Sequence, residues 1–407
     1  MRSTTFEGAL AYDLEGPAAN VTPLPVSRIG PRPPPSSWSS VSMDCLARSG
    51  YEVTFCDSLA DSDALAEAVG DRKALLVTTP TVERVHGNAI RAALARTRTV
   101  STLVLNAREE CKSMELVQAV CAEALAQGLN RKGLLISFGG GVCSDIVTLA
   151  ASLIRRGVGH IRVPTTLIGQ IDAGIGLKGA VNFCGKKSFV GCFHPPEQVV
   201  IDSSLLRSLP PRFLISGLAE AFKMGIARDE ALFDLLATRS RALVESGFAD
   251  AAAREVLQRS IWSMLDELRR NPYEDQTYER LVDFGHTFSP GLEAALDFGI
   301  HHGEAVAIDL ALSATIASCL GLLGHEAWED ILGALEGAGL PIRSPRLDLE
   351  LCCAALTEAC RHRGGSINLV VPTAVGQATF LRRREELADG VLAEALERIA
   401  AREDARR

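Results

Sequence analysis

Short runs of β-branched and aliphatic residues alternate with longer helix-forming stretches from Tyr51 onward, and that alternation leaves few folds open. Tyr51–Phe55, Ala74–Thr78, Thr102–Leu105, Gly133–Ser137 and Ile161–Val163 have strand composition, whereas Met114–Leu129 and Asp145–Arg156 are helical in pattern. Strands separated by helices are not joined as tight hairpins; they predict a mostly parallel sheet with helices packed on it. After Leu209-Pro210-Pro211 the texture changes to long helix-like runs rich in Ala, Leu, Glu and Arg, with one strand-like run at Ile367–Val371. The expected organisation is therefore a Pro-rich extension over residues 1–40, an α/β domain over 41–210 and an all-α domain over 211–407.

The balance of 42 Lys+Arg against 50 Asp+Glu, a formal charge of −8, gives no electrostatic ground for binding nucleic acid. Any anionic ligand must be held by a local basic cluster. No apolar run reaches the roughly 18 residues of a membrane span, and the eleven cysteines lack the spacing of a disulfide framework or zinc ribbon. A cytoplasmic protein with reduced thiols is expected, and Cys352, Cys353 and Cys360 are read as helix-face packing residues.

Four segments stand out chemically. Ser137-Phe-Gly-Gly-Gly-Val-Cys-Ser-Asp145 follows an apolar run and opens a helix, so its glycines would let backbone N–H groups approach a phosphate; a plain tight turn is the competing reading. Val163–Phe193 carries six glycines, Asp172 and three lysines in an otherwise apolar stretch, which suits an anionic, phosphorylated ligand, or else a lysine-bearing surface hairpin. Glu220 and Lys223 lie at i, i+3 on one helical face, and His286 and His302 follow at separations of 66 and 16 residues. One carboxylate and two imidazoles are what a catalytic divalent metal needs, although either histidine alone reads more readily as a core or cap residue than as a ligand. Glu109 and Lys112 read as an ordinary helix-entry turn.

Taken together, GGGVxxD, PTTLxxxxDxxxxxK, GLAExxK, GHTF and HGEAV resemble the sugar phosphate cyclase superfamily, whose best-known member is 3-dehydroquinate synthase, from about Tyr51 to about Phe380. The resemblance implies an N-terminal α/β NAD-binding domain and an all-α metal domain. It also implies zinc, or cobalt, on Glu220, His286 and His302, with NAD on Gly140, Gly141, Asp145, Thr165 and Thr166 and its ribose near Glu109 and Lys112. Asp172, Lys178, Lys187 and Lys223 would line the substrate site, and Arg156 matches an arginine that reaches the neighbouring subunit's phosphate site, implying a homodimer.

Departures from dehydroquinate synthases are as informative. Their carboxylate-binding Arg seven positions before the first metal histidine is Glu279 here, their Asn three before it is Asp283, their histidine four after it is Pro290, and Ile261–Glu267 holds no Lys. A site without those cations is expected to take a substrate without a carboxylate. Val282–Pro290 and His362–Asn368 resemble the sedoheptulose 7-phosphate cyclases, and Asp283 with His362 resembles the pair of the 2-epi-5-epi-valiolone synthases. Ser188, where the family usually has Asn, and Thr79-Pro80, near an expected ribose-binding Asp, keep 2-epi-valiolone synthase as the rival. The expected reaction is transient oxidation by NAD, β-elimination of phosphate, reduction and intramolecular aldol closure. A dehydroquinate synthase, a metal-dependent alcohol dehydrogenase and a non-catalytic sugar-phosphate-binding paralogue remain the further alternatives.

Overall fold

The computed structural model describes residues 50–97 and 100–406. The extension expected over 1–40, and the start of the domain expected over 41–210, lie outside the described residues. The described chain begins with β1 (Glu52–Cys56), α1 (Ala64–Val69), β2 (Ala74–Thr78), α2 (Pro80–Ala93), β3 (Val100–Val104), α3 (Met114–Ala126), β4 (Leu134–Gly139), α4 (Gly141–Leu153) and β5 (Gly159–Pro164). A hairpin, β6 (Lys178–Phe183) with β7 (Lys186–Phe193), precedes β8 (Gln198–Asp202). Six strands form one sheet in the order β1-β8-β5-β4-β2-β3, every pair parallel.

Both faces of this sheet are covered, which is why its strands are near-continuous apolar runs. Ala74, Leu76, Leu134, Ile136, Phe138, Ile161 and Val163 pack beneath α1 and α2. Their neighbours Leu75, Val77 and Leu135 pack on the other face against Val117 and Val120 of α3 and Ile146 and Val147 of α4. The chain runs outward from β2 to β3 and then, after returning, outward the other way from β4 to β5. The C-terminal ends of β2 and β4 therefore diverge at the switch point, where open α/β sheets bind ligands.

From Pro211 the chain is mostly helical: α5 (Pro211–Arg228), α6 (Glu230–Glu245), α7 (Ala251–Arg270), α8 (Ser289–Ala295), α9 (His302–Cys319), α10 (His325–Gly337) and α11 (Leu349–His362), then the hairpin β9 (Leu369–Ala374) and β10 (Gln377–Leu381), and α12 (Asp389–Arg406). Helix α9 is buried on all sides from Ala305 to Ala317, as expected of a helix that is apolar all round. It approaches α5 so closely that a Cβ on Gly303 would lie 1.7 Å from the Ser216 carbonyl oxygen. Among the described residues no helix is long and apolar enough to cross a membrane, and the cysteines are unpaired.

Candidate active site

Helices α5 and α9 and the loop ahead of α8 bring Glu220, His302 and His286 together, with one ligand-type atom of each within 4.8 Å of the others. Two local features orient the imidazoles. His286 Nδ1 donates to the Phe284 carbonyl at 2.9 Å and His302 Nδ1 donates to the Glu293 carboxylate at 2.8 Å, so both Nε2 atoms face Glu220, at 3.5 and 3.2 Å from its Oε1. Burial alone would raise the Glu220 carboxyl, yet the Lys223 ammonium and the two imidazoles hold it well below the ordinary carboxylate range. Burial pushes His286 down to about 4. His302 is held up at about 9 against burial and Lys187, by its hydrogen bonds to Glu220 and Glu293.

The donor set fits a divalent metal. The Glu220 carboxylate is 1 % exposed, and the Nε2 atoms of both imidazoles converge on its Oε1. Three ligands from the chain leave an open coordination position, as a catalytic zinc site requires.

The loop that carries Asp172 is a single π-helical turn, Gly169–Ala173, closed by the Gly174 N–H on the Gly169 carbonyl at 2.8 Å. A Cβ at Gly174 would lie 2.2 Å from that carbonyl oxygen, so the turn depends on glycine there. Lys223 Nζ joins Asp172 Oδ2 at 2.5 Å and Glu220 Oε2 at 2.6 Å. Burial raises Asp172 to about 6 despite Lys223, with Glu220 adding to the rise, while Lys223 itself is held above its usual value by the two carboxylates. Arg162, fully buried on β5, donates to the carbonyls of Ala173, Gly174, Gly176 and Lys178 and to Thr148 Oγ1, and so fastens the segment between the two site residues Asp172 and Lys178.

The lysines do lie on a hairpin, β6–β7, and Lys187 reaches from it to Glu293, the partner of His302. Each site lysine already has a carboxylate partner. Lys178 Nζ is 2.5 Å from Glu274, and Lys187 is bonded to Glu293. Ser188 has φ +51 and its N–H donates to Asn182 Oδ1, a left-handed conformation that Asn adopts more readily than Ser.

Gly139–Gly141 form the junction of β4 and α4 at the switch point, beside Thr165 and Thr166. Thr165 N–H donates to the Gly139 carbonyl at 3.0 Å, and a Cβ on Gly140 would meet Thr166 Cγ2 at 3.1 Å. No side chain caps the N-terminus of α4, and Thr78 Oγ1 at the end of β2 is buried without a partner. A glycine cradle on an uncapped thirteen-residue helix fits a dinucleotide pyrophosphate. Lys112 is 4 % exposed and paired with Asp145 at 2.6 Å; burial lowers it, but Asp145 and Glu109 outweigh that and raise it. Glu109 accepts from Asn182 Nδ2.

Asp283 sits three residues before His286, where burial would raise it but Arg280, Lys178 and Arg363 keep it low. Arg280 is bonded to both Asp283 and Glu274, and Arg363 Nη2 stands 3.9 Å from Asp283. Glu279 is turned away into a pair with Arg382, and the next residue, Arg280, is a cation that the sequence reading did not count, its charge taken up by Glu274 and Asp283. His362 is exposed at the end of α11, near the Tyr278 ring, and the contact to Asp283 is made by its neighbour Arg363. Arg156, with φ +70, is exposed at the end of the turn that follows α4. Sequence reasoning missed Glu274, Arg280, Glu293 and Arg363; the one available signal was that each lies within seven residues of a recognised motif residue.

Family models described as 3-dehydroquinate synthase N-terminal and 3-dehydroquinate synthase C-terminal match residues 102–216 and 217–361. A 2-epi-5-epi-valiolone synthase of Streptomyces glaucescens is 40% identical over 366 residues, 88% of this chain and 94% of its own. A 3-dehydroquinate synthase of Shewanella loihica is 32% identical over 342 residues, 84% of this chain and 94% of its own. The solved 2-epi-5-epi-valiolone synthase of Streptomyces hygroscopicus subsp. jinggangensis, with NAD+ and Zn2+ bound, superposes with a TM-score of 0.84 at 38% identity, covering 89% of this chain and 100% of the other.

Proposed function

This chain belongs to the 3-dehydroquinate synthase family, and from that premise we propose that it is a sedoheptulose 7-phosphate cyclase that makes 2-epi-5-epi-valiolone and releases phosphate, a carbon–oxygen lyase by reaction class. The observation that carries this reading is the company of the metal-type cluster: three lysines suited to a phosphate, and the carboxylate Asp283, held ionised by Arg280, beside His286. A carboxylate there repels a carboxylated substrate and accepts from sugar hydroxyls.

In this reading Glu220, His286 and His302 hold zinc, with cobalt as the alternative, and Gly140, Gly141, Asp145, Thr165 and Thr166 hold NAD, with Glu109 and Lys112 toward its ribose. When bound, zinc and NAD supply a Lewis acid and a reversible hydride acceptor, so that oxidation, elimination of phosphate, reduction and aldol closure leave no net redox change. Lys178, Lys187 and Lys223 take up the charge of the departing phosphate, and Asp172 keeps the Lys223 ammonium in place. Asp283 and His362 orient the hydroxyls that decide stereochemistry, and Arg156 serves the neighbouring active site of a homodimer, its exposed left-handed position supporting an outward reach. The division into an extension over 1–40, an NAD domain over 41–210 and a metal domain over 211–407, and a cytoplasmic location, belong to the same reading.

The test is incubation of the purified chain with sedoheptulose 7-phosphate, NAD and zinc, with phosphate release measured and the cyclitol identified by NMR. Release of phosphate with 2-epi-5-epi-valiolone is expected. The other epimer would select 2-epi-valiolone synthase, and no phosphate would sink the assignment.

A further inference from the structure

Glu293 has a position that none of the motifs announces. It lies in α8, 3 % exposed, and its two oxygens are divided between two functions: Oε1 accepts from His302 Nδ1 at 2.8 Å, and Oε2 is bonded to Lys187 Nζ. One buried carboxylate therefore touches both an imidazole of the metal cluster and a lysine of the phosphate site.

We propose that Glu293 is a positioning residue that couples metal affinity to occupancy of the phosphate site, an inference that rests on the functional reading above. A carboxylate on the far nitrogen of a metal-binding imidazole fixes its tautomer and strengthens the nitrogen that faces the metal. Lys187 draws charge from that same carboxylate. An anion that engages Lys187 relaxes this competition and leaves Glu293 to His302 alone. Phosphate therefore tightens metal binding and, by linkage, the metal tightens phosphate binding by the same factor. The carboxylate is the element that both sites bias, and among the described residues no other in the cluster bonds to a lysine of the hairpin and to an imidazole.

The test measures zinc affinity of the full chain by competition with a chromophoric chelator, with and without inorganic phosphate. In the wild type phosphate is expected to tighten zinc about five- to tenfold, within the usual range of coupling between sites. Glu293→Gln, which keeps shape and an acceptor but removes the charge, should weaken zinc roughly 10- to 100-fold and bring the phosphate effect to about one. Lys187→Met should bind zinc as tightly without phosphate as the phosphate-saturated wild type does, and this variant decides the matter if Glu293→Gln does not fold. A phosphate effect that survives in Glu293→Gln would mean direct attraction between the two ions and would overturn the proposal, as would wild-type zinc affinity in that variant. Coupling in a wild-type chain that does not turn over sedoheptulose 7-phosphate would sink the cyclase reading and spare this one; turnover without coupling would do the reverse.

Discussion

Lys223 on α5 reaches Asp172 in the π-turn after β5, Nζ to Oδ2 at 2.5 Å, and is at the same time 2.6 Å from Glu220 one helical turn before it. A single ammonium thus ties the helical part to the loop that follows β5, at the point where the metal-type cluster begins.

His286→Ala removes one of three converging ligand atoms. Metal content and phosphate release should both fall by more than about a hundredfold, beyond the effect of losing an outer partner. Metal analysis of the dialysed variant beside its activity checks this, and wild-type activity would refute the metal role.

Arg280→Met leaves Asp283 buried with Lys178, Arg363 and His286 as the remaining neighbours that hold it low. Because Arg280 is the largest influence holding the Asp283 carboxyl low, its loss should raise that carboxyl, and activity that needs the carboxylate should then fail at higher pH. The acid limb of the kcat/KM profile is expected to move to higher pH. An unmoved limb would exclude Asp283 as the group behind it.

Asp309 on α9 accepts the N–H groups of Thr287, Phe288 and Ser289 on Oδ2 and the Ser313 hydroxyl on Oδ1, with burial raising it to about 6. A raised carboxyl binds its proton more tightly folded than unfolded, so stability falls as pH rises from about 4 to 6 and stays lower above that. The loss is about 3 kcal/mol. Asp309→Asn can satisfy the same partners without charge, and thermal unfolding should show that fall disappear and the variant melt higher than wild type at pH 8.

Arg162→Met strips four loop carbonyls of their donor. Urea unfolding should show a loss of roughly 3 kcal/mol, the scale of leaving buried acceptors unsatisfied. KM for the sugar phosphate should rise more than kcat falls if the loop chiefly positions Lys178; equal changes would point to Asp172 instead.

The parallel sheet was legible because both-face burial writes itself as apolar runs, and Ala74–Thr78 is β2 to the residue. Gln198–Asp202, equally buried as β8, follows the Gly- and Lys-rich hairpin and lacks the helix that usually precedes a parallel strand, so its pattern had no frame. The convergence of Glu220, His286 and His302 was legible only through family motifs, since periodicity says nothing of residues 66 positions apart. Glu293 and Asp309 were hidden because a lone acid in a helix reads as a solvated face, and only packing reveals that both are buried. Arg280 escaped because the turn from Asn271 to Asp283, with Glu274 at φ +56, decides which of two adjacent residues points inward.

The three lysine–carboxylate pairs have a kinetic meaning. Lys178, Lys187 and Lys223 are already paired with Glu274, Glu293 and Asp172, so in the proposed reaction a phosphate would replace partners rather than fill an empty positive pocket. The exchange costs affinity on the way in and helps on the way out. In the proposed reaction a phosphate no longer bonded to carbon would meet the same three carboxylates competing for the lysines, so the protein's own acids would favour departure of the inorganic product.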